Sequence, residues 1–155
     1  MKKRILTAVL AAALVTGTCA ATVSAKEEKT YTIGICQLVQ HDALDAATKG
    51  FEDAITEKMG DSVKFDEQNA QGDSNTCSTI INSFVSEGAD LILANATASL
   101  QAAAAGTSDI PILGTAVTEY GVALGIDDFD GTVGGNISGT SDLAPLDEQA
   151  DMLHE

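Results

Sequence analysis

The sequence predicts an α/β fold, built as a parallel, Rossmann-like sheet with flanking helices. Four apolar, β-like runs break off into small polar residues and then into a helical pattern: YTIGICQLVQ (31–40), VKFDEQNAQGD (63–73), ADLILANATAS (89–99) and IPILGTAVTE (110–119). The first two intervening segments carry apolar residues three and four positions apart, the spacing of a helix that packs one face on a sheet. Strands that alternate with helices in this way favour a parallel sheet with right-handed crossovers.

The first 25 residues have the pattern of a secretory signal. A positively charged start precedes an apolar stretch (5–15) and a small-residue cleavage site at 23–25. The apolar stretch is shorter than the roughly 20 residues that a membrane-spanning helix needs. We predict a signal peptide over 1–25, a linker over 26–30 and an exported chain at the periplasmic or extracellular face of the membrane. A retained N-terminal anchor, or a lipid anchor on Cys19, stays open as an alternative.

The first half of the remaining chain predicts two strand–helix units. Strand 31–36 contains the β-branched and aromatic residues that suit a pleated sheet. A helix over 42–59 follows, and Gly60 is expected to end it. A second strand over 63–68 and a second helix over 74–87 repeat the plan.

The second half predicts further strands and a less regular ending. The third strand, 90–95, is almost continuously apolar, as central parallel strands buried on both faces tend to be. An alanine-rich helix over 98–105 leads to a fourth strand over 110–116. Residues 120–135 are rich in glycine and aspartate and predict a loop with a short strand. One more strand is expected over 136–142.

The charge balance excludes a nucleic-acid partner. The chain has 23 acidic and eight basic residues, a formal net charge of −15, and no Lys or Arg follows Lys64. Binding to phosphate backbones requires cationic side chains, and so does attraction to an anionic membrane surface. A solvated acidic surface that aids solubility accounts for most of these carboxylates.

No motif for catalysis, cofactor binding or metal binding stands out. The sequence has no G-x-S-x-G elbow, no G-x-G-x-x-G fingerprint and no phosphate-binding loop, so we expect no cofactor. His41 with Asp42 and Asp45 could form a metal set, but we expect His41 to end the first loop and Asp42 to cap the helix. Cys36 and Cys77 fall on apolar positions, which favours free buried thiols over a disulfide.

The polar residues that follow the strands form the candidate binding site. The carboxyl ends of parallel strands share one edge of the sheet, and ligands bind in the crevice beside that edge. Thr97 opens the third helix, whose amides and dipole favour an anion. Thr115 and Thr118 flank the end of the fourth strand. A ligand carboxylate would rely on these hydroxyls and amides, whereas an ammonium group would seek Asp142 or Glu119.

Four segments together resemble one protein family. IGICQLVQHDALDAATKGF, FDEQNAQGD, DLILANATASLQAAAAGTSDIPILGTAVTEY and GGNISGTSDLAPLDEQ are similar to the substrate-binding proteins of ABC importers. The branch that they resemble is linked to aromatic amino acids such as tryptophan and phenylalanine. The resemblance runs from about Thr32 to the last residue. It implies an N-terminal, type I periplasmic-binding-protein lobe over 31–142 and, over 143–155, the start of a crossover helix toward a second lobe that this truncated sequence lacks.

The resemblance also implies which residues line the first lobe's side of the cleft. They are Gln37, His41, Gln71, Thr97, Ala98, Thr115, Ala116, Thr118, Thr140, Ser141 and Asp142. The implied function is the capture of a small-molecule ligand, an amino acid, without chemistry, for an ABC permease in the membrane. Tyr120 is the one aromatic residue expected near the cleft.

Two other functions stay open at this point. The same fold could bind a sugar or a nucleoside-like ligand, since fold does not fix function. An exported enzyme could instead use His41 and Asp45 as an acid–base pair. If one lobe acts alone, we expect weak ligand binding or none.

Overall fold

The structure is a computed structural model that describes residues 29–152. The predicted signal peptide, the alternative lipid site at Cys19 and most of the linker lie outside the described residues. Within 29–152, no helix combines the length and the apolar character needed to cross a bilayer.

Five strands form one sheet. They are β1 (Tyr31–Gln37), β2 (Val63–Asn69), β3 (Leu91–Asn95), β4 (Ile112–Val117) and β5 (Ile137–Ser141). Their order across the sheet is β2-β1-β3-β4-β5, and every neighbouring pair is parallel. The predicted fold class is confirmed, as are the strands expected before residue 120 and the one expected over 136–142.

Helices connect the strands and flank the sheet. They are α1 (Asp42–Met59), α2 (Ser74–Glu87), α3 (Thr97–Gly106), α4 (Tyr120–Leu124) and α5 (Leu146–Met152), with a short 3-10 turn at Gly60–Ser62. The bounds of α1 and α2 are those predicted, and α3 is one residue longer at each end. Gly60 ends α1 with a positive φ of 54°, a conformation that glycine adopts easily.

The prediction of a loop with a short strand over 120–135 is wrong. This segment begins with the helix α4, and no strand precedes β5 there. The carboxylate of Glu119 accepts hydrogen bonds from the backbone N–H groups of Gly121 and Val122, and Gly125 ends the helix in the left-handed conformation. A helix of five residues is too short to show the 3.6-residue period by which longer helices are predicted.

The predicted cap of α1 is also wrong. His41 and not Asp42 is the N-cap residue, because His41 has extended backbone and its Nδ1 accepts a hydrogen bond from Ala43 N at 3.2 Å. Asp42 is already the first helical residue, one position too late for this role. In α2, Asp73 caps the helix in the ordinary way, with a carboxylate.

The helices bury both faces of the sheet. On one face, α2 and α3 enclose a core that includes the fully buried Phe84 and Leu100. On the other face, α1 places Phe51 edge-to-face against Phe65, with ring centroids 6.4 Å apart. In β3, Ile92 belongs to the first core and Leu93 to the second. This two-sided burial explains why the strand is apolar at consecutive positions.

Cys36 and Cys77 are free, buried thiols, as predicted. Their Sγ atoms lie 3.6 Å and 3.7 Å from Oγ of the buried Ser99. Burial raises the pKa of Cys36 to about 12, because a buried thiolate would lose its hydration. Cys36 therefore acts as a small apolar residue with a weak donor.

Candidate ligand-binding site

The strand register brings four polar residues into one row at the carboxyl end of the sheet. Gln37 pairs with Asn69 on one side and with Asn95 on the other, and Asn95 pairs with Thr115. The binding edge is this row together with the segments that follow it: 37–41, 69–72, 95–99, 115–119 and 140–142. All the predicted site residues belong to these segments.

Two side chains of the row are buried and tie the binding edge to α1. Gln37 Nε2 donates to Asp45 Oδ1 at 2.6 Å, and Gln37 Oε1 accepts from Thr48 Oγ1 at 2.7 Å. Asn95 Nδ2 donates to Thr48 Oγ1 and to Leu44 O, both at 2.9 Å. Gln37, a predicted ligand residue, thus has its amide hydrogen-bonded inside the protein, where it holds the first turns of α1 against the sheet.

The turn between β3 and α3 has an unusual backbone. Ala96 has φ 93° and ψ 160°, a region that is essentially restricted to glycine and costs other residues about 1–3 kcal/mol. Its N–H donates to Thr115 O at 3.0 Å, and its carbonyl accepts from Leu100 N at 3.0 Å. Such strain persists only where the surroundings impose it, and it is concentrated at functional sites.

This turn leaves the amino end of α3 uncapped. Within residues 29–152, no side chain caps this end, whereas His41, Asp73 and Glu119 cap α1, α2 and α4. The first amides of a helix have no partner within the helix, and the helix dipole adds partial positive charge. Two predicted site residues stand here, Thr97 exposed and Ala98 half-buried. The arrangement suits a carboxylate ligand group.

Three predicted residues, 140–142, lie at the end of β5, and a fourth, Thr118, lies beside them just after β4. Ser141 Oγ donates to Thr118 O at 2.8 Å, and Asp142 N donates back to β4 at 3.1 Å. Tyr120 Oη donates to Thr140 O at 3.2 Å. These bonds fix the segment 140–142 against the end of β4.

Tyr120 is largely buried and lines a groove beside β5. It is 6% exposed and lies against Gly114 and Gly139, neighbours in register, where a Cβ on either glycine would overlap Tyr120 Oη. Burial raises the pKa of Tyr120, and the nearby Asp142 carboxylate raises it further. The ring supports the sheet here and also lines a groove beside β5 together with Thr118 and Ser141. Tyr120 therefore lies beside predicted site residues, as expected, but little of its surface is exposed.

Two concave regions flank β5. A cavity of about 280 Å³ on the α1 side is lined in part by Thr115 and Thr140. A groove of about 510 Å³ on the α4 side is lined in part by Thr118 and Ser141. The hydroxyls of the binding edge therefore divide between the two sides of the sheet.

The remaining predicted residues are placed by backbone geometry and capping. Gln71 (φ 55°) is exposed in the turn after β2, and Ala116 (φ 53°) lies where the register between β4 and β5 shifts. With Ala96, they are three of the four non-glycine residues in the described part of the chain that have positive φ. His41 is exposed at the start of α1, with Nδ1 engaged as the cap.

The alternative acid–base pair of His41 and Asp45 has structural partners. Asp45 Oδ1 accepts hydrogen bonds from Gln37 Nε2 at 2.6 Å and from His41 N at 3.4 Å. Among the residues that the structure describes, no three His, Cys, Asp or Glu side chains come together as a possible metal site. The contacts of this pair stabilise the first turn of α1.

Sequence reasoning missed two residues. Asn95 belongs to the binding edge, and Thr48 in α1 supports it. Both are buried, with Asn95 0% and Thr48 3% exposed. The available signal was a polar residue at a position where the pattern requires an apolar one. Asn95 closes an apolar strand, and Thr48 lies on the apolar stripe of α1, four residues after Leu44. Buried polar groups at such positions need hydrogen-bond partners, and here Asn95 Nδ2 and Thr48 Oγ1 are partners of each other.

In parallel α/β sheets, a carboxyl edge with amides, hydroxyls and an open helix end is where small ligands bind. Comparison with known proteins identifies the family. The family model described as ABC transporter substrate binding protein matches residues 32–155, and the chain belongs to this family. The predicted family is confirmed.

The relatives include one protein named for amino acid binding and one whose structure holds an amino acid. The Tyrosine-binding protein of Clostridioides difficile (strain R20291) is 46% identical over 129 residues, which are 81% of this chain and 37% of that protein. A ligand-free, open substrate-binding protein with adhesive properties from Clostridium difficile is 43% identical, with a TM-score of 0.73, over 81% of this chain and 43% of that one. An ABC domain in complex with L-Trp from Streptococcus pneumonia is 33% identical, with the same TM-score and the same coverage. This chain spans less than half the length of each.

Proposed function

We propose that this chain provides one lobe of the extracytoplasmic solute-binding component of an ABC importer, with an aromatic amino acid as its ligand. The observation that carries the proposal is the uncapped amino end of α3 at the carboxyl edge of the sheet. The ligand carboxylate would accept hydrogen bonds from the first amides of this helix, those of Thr97 and Ala98 among them. The helix dipole would favour its charge.

The distribution of charge supports an amide-based carboxylate site. No Lys or Arg follows Lys64, so the segments 95–99, 115–119 and 140–142 contain no cationic side chain. Lys49, on α1, pairs with Asp53 at 2.7 Å. Backbone amides and the hydroxyls of Thr and Ser are thus the anion-binding groups that this part of the binding edge offers.

The ammonium group of the ligand is assigned to Asp142. Of the two carboxylates that the sequence suggested, Glu119 is engaged by the first amides of α4. Asp142 is exposed, and its neighbours Thr140 and Ser141 are hydrogen-bonded to Tyr120 and Thr118. A carboxylate that keeps its acceptor capacity is the better partner for an ammonium group.

The aromatic character of the ligand follows from the relatives. One is named as a tyrosine-binding protein, and another is in complex with L-Trp. Export of the chain is supported by its predicted signal peptide, and partnership with an ABC permease by its family. Capture without chemistry is supported by His41 and Asp45, whose contacts serve the first turn of α1.

The substitution Thr97→Asp tests the carboxylate site. Aspartate in the first turn stabilises a helix, so α3 should persist, while the new carboxylate should repel that of the ligand. In a nuclear magnetic resonance titration of the full chain with L-tyrosine, we expect the affinity to fall about tenfold or more, equivalent to about 1.4 kcal/mol.

Two controls accompany this titration. Thr79→Asp makes the same charge change on an exposed position of α2 and should leave the affinity unchanged. L-tyrosinamide, which lacks the carboxylate, should leave the amide resonances of 97–99 nearly unshifted. Unchanged tyrosine affinity in Thr97→Asp, or equally strong binding of the amide, would show that the carboxylate lies elsewhere.

A further inference from the structure

Asn95 occupies a special position in the binding edge. Its side chain is fully buried, and its Nδ2 donates to Leu44 O and Thr48 Oγ1 at 2.9 Å and approaches Gln37 Oε1 at 3.3 Å. These three acceptors belong to α1 and to the end of β1. The side chain therefore joins the end of β3 to the two elements beside it.

The hydrogen bonds that determine the orientation of the Asn95 amide are made by its nitrogen. Within the described residues, Asn95 Oδ1 is buried and has no hydrogen-bond partner. An amide turned the other way would place oxygen against three groups that accept hydrogen bonds here and would remove the side-chain hydrogen bond to Leu44 O. The donors of Asn95, and not its acceptor, are thus what its surroundings require.

The residue that follows Asn95 is the one with the glycine-like backbone. Ala96 has a positive φ, which is unfavourable for any residue with a Cβ. Its backbone hydrogen bonds run forward to Leu100 and across to Thr115. The peptide that joins Asn95 to Ala96 is held through its N–H, by Thr115 O, and through its carbonyl, which accepts from Leu38 N at 3.2 Å. The Asn95 side chain adds an anchor on α1, through Leu44 O and Thr48 Oγ1.

We propose that Asn95 is a positioning residue: its buried amide imposes the Ala96 turn and thereby presents the first amides of α3 to the ligand. This inference rests on the proposed carboxylate site for its functional consequence. Its structural content concerns Asn95 and Ala96 alone, so it can be tested without any ligand.

The test is Asn95→Asp in the full chain, with isotope labels on alanine. Aspartate keeps the shape of asparagine but loses both N–H donors and faces three acceptors. We expect Ala96 to lose the coupling constant and the carbon shifts of a positive φ. The exchange rate of the Ala96 N–H should rise about tenfold, since its bond to Thr115 depends on the turn.

Thr48→Val is the matched control. It removes one acceptor of Asn95 and a buried hydroxyl, but leaves Leu44 O and Gln37 Oε1 in place. We expect a lower melting temperature with the Ala96 signature retained. If the signature survives in folded Asn95→Asp, or if Thr48→Val loses it to the same extent, the proposal is overturned.

A rescue experiment covers the case in which Asn95→Asp does not fold. Glycine adopts the conformation of Ala96 without strain, so Ala96→Gly should restore folding and bring the exchange rates of 97–99 to within about threefold of those in Ala96→Gly alone. Failure of the double variant to fold would mean that Asn95 supports the whole fold, and would overturn a specific role at the turn.

Titration with L-tyrosine separates the two proposals. If wild-type amides 97–99 do not respond to the ligand while the Ala96 signature depends on Asn95, the carboxylate site is refuted and the role of Asn95 at the turn stands. If Asn95→Asp loses the signature yet binds tyrosine as the wild type does, the positioning role is refuted and the carboxylate site stands.

Discussion

A single carboxylate, Asp90, connects the start of β1 to the turn before β3. Its Oδ2 accepts a hydrogen bond from Thr32 N and its Oδ1 from Lys29 Nζ, both at 2.9 Å. Lys29 Nζ also lies 4.4 Å from the centre of the Tyr31 ring. The Thr32 N–H, and then Lys29, hold the pKa of Asp90 below its ordinary value of 3.8. The charged form of Asp90 is therefore the form that the fold stabilises.

This arrangement predicts a stability difference that depends on pH. A carboxyl group whose pKa is lower in the folded state contributes stability above its unfolded pKa and loses it as the pH falls through the folded value. Asp90→Asn should lower the melting temperature at pH 7, and the difference from wild type should shrink below about pH 4. Thermal unfolding from pH 7 to pH 3 measures it, with the exposed Asp53→Asn as the control. A difference that is constant over this range would contradict the assignment.

For single residues, the sequence predicts which chemical groups the site contains but not which residues they contact. Thr97 could be assigned to the amino end of α3 because helix ends follow from periodicity and small polar residues. Tyr120 could not be assigned to the sheet, since its place depends on two glycines, Gly114 and Gly139, that become neighbours only through strand register. Asn95 was missed for the same reason, because its partners lie more than 40 residues away in sequence.

At the level of elements, Gly34 shows how closely α2 approaches β1. A Cβ at Gly34 would lie 2.5 Å from Phe84 Cδ2, in the centre of the larger core. Because Phe84 is fully buried, its ring cannot move aside without disturbing its neighbours. The glycine is thus required by the close packing of strand and helix.

Two alanine substitutions should change stability in opposite directions. Gly34→Ala should lower the free energy of unfolding by about 1–3 kcal/mol, the usual range for overpacking. Gly50→Ala, within α1, meets no atom within 4 Å, so it should raise the free energy of unfolding by about 0.5–1 kcal/mol. Urea denaturation of the full chain measures both. A neutral Gly34→Ala would show that helix α2 can withdraw from the strand without loss.

The elements that the sequence predicts are the long ones. The helices α1 and α2 repeat their apolar stripe over several turns, and each lies between recognisable stops, so their bounds follow from the pattern alone. The helix α4 depends on the Glu119 cap and on contacts with α3, which a five-residue window does not show. The cap of α1 was misassigned because histidine is uncommon in that role, although its Nδ1 can accept as a carboxylate does.

At the level of the whole molecule, the binding edge is exposed to solvent. Thr97, Thr118 and Asp142 are all exposed, and the two concave regions beside β5 are open to solvent. Ligand sites for small molecules usually bury 70–90% of the ligand surface. An edge of this form supplies polar contacts to a ligand but little enclosure. The affinity of the described unit should therefore be limited by the surface that the ligand leaves in water.

A chimera tests this argument directly. Residues 32–155 would replace the matching part of the Clostridioides difficile Tyrosine-binding protein, of which this chain covers 37%. By calorimetry, we expect weak but measurable tyrosine binding by the 155-residue chain, and binding at least about 100-fold tighter by the chimera. The physical reason is burial of the ligand between two surfaces, which adds apolar contact and strengthens the polar contacts by excluding water.

The substitution Thr97→Asp in the chimera separates two explanations of the tighter binding. The ligand is either enclosed between the binding edge and the part from the Clostridioides difficile protein, or held by that part alone. If the amino end of α3 holds the carboxylate, this substitution should reverse most of the gain in affinity, while Thr79→Asp should leave the gain intact. Submicromolar binding by the 155-residue chain would show that one edge suffices. A folded chimera that binds tightly despite Thr97→Asp would show that the ligand is held by the added part and not by the binding edge.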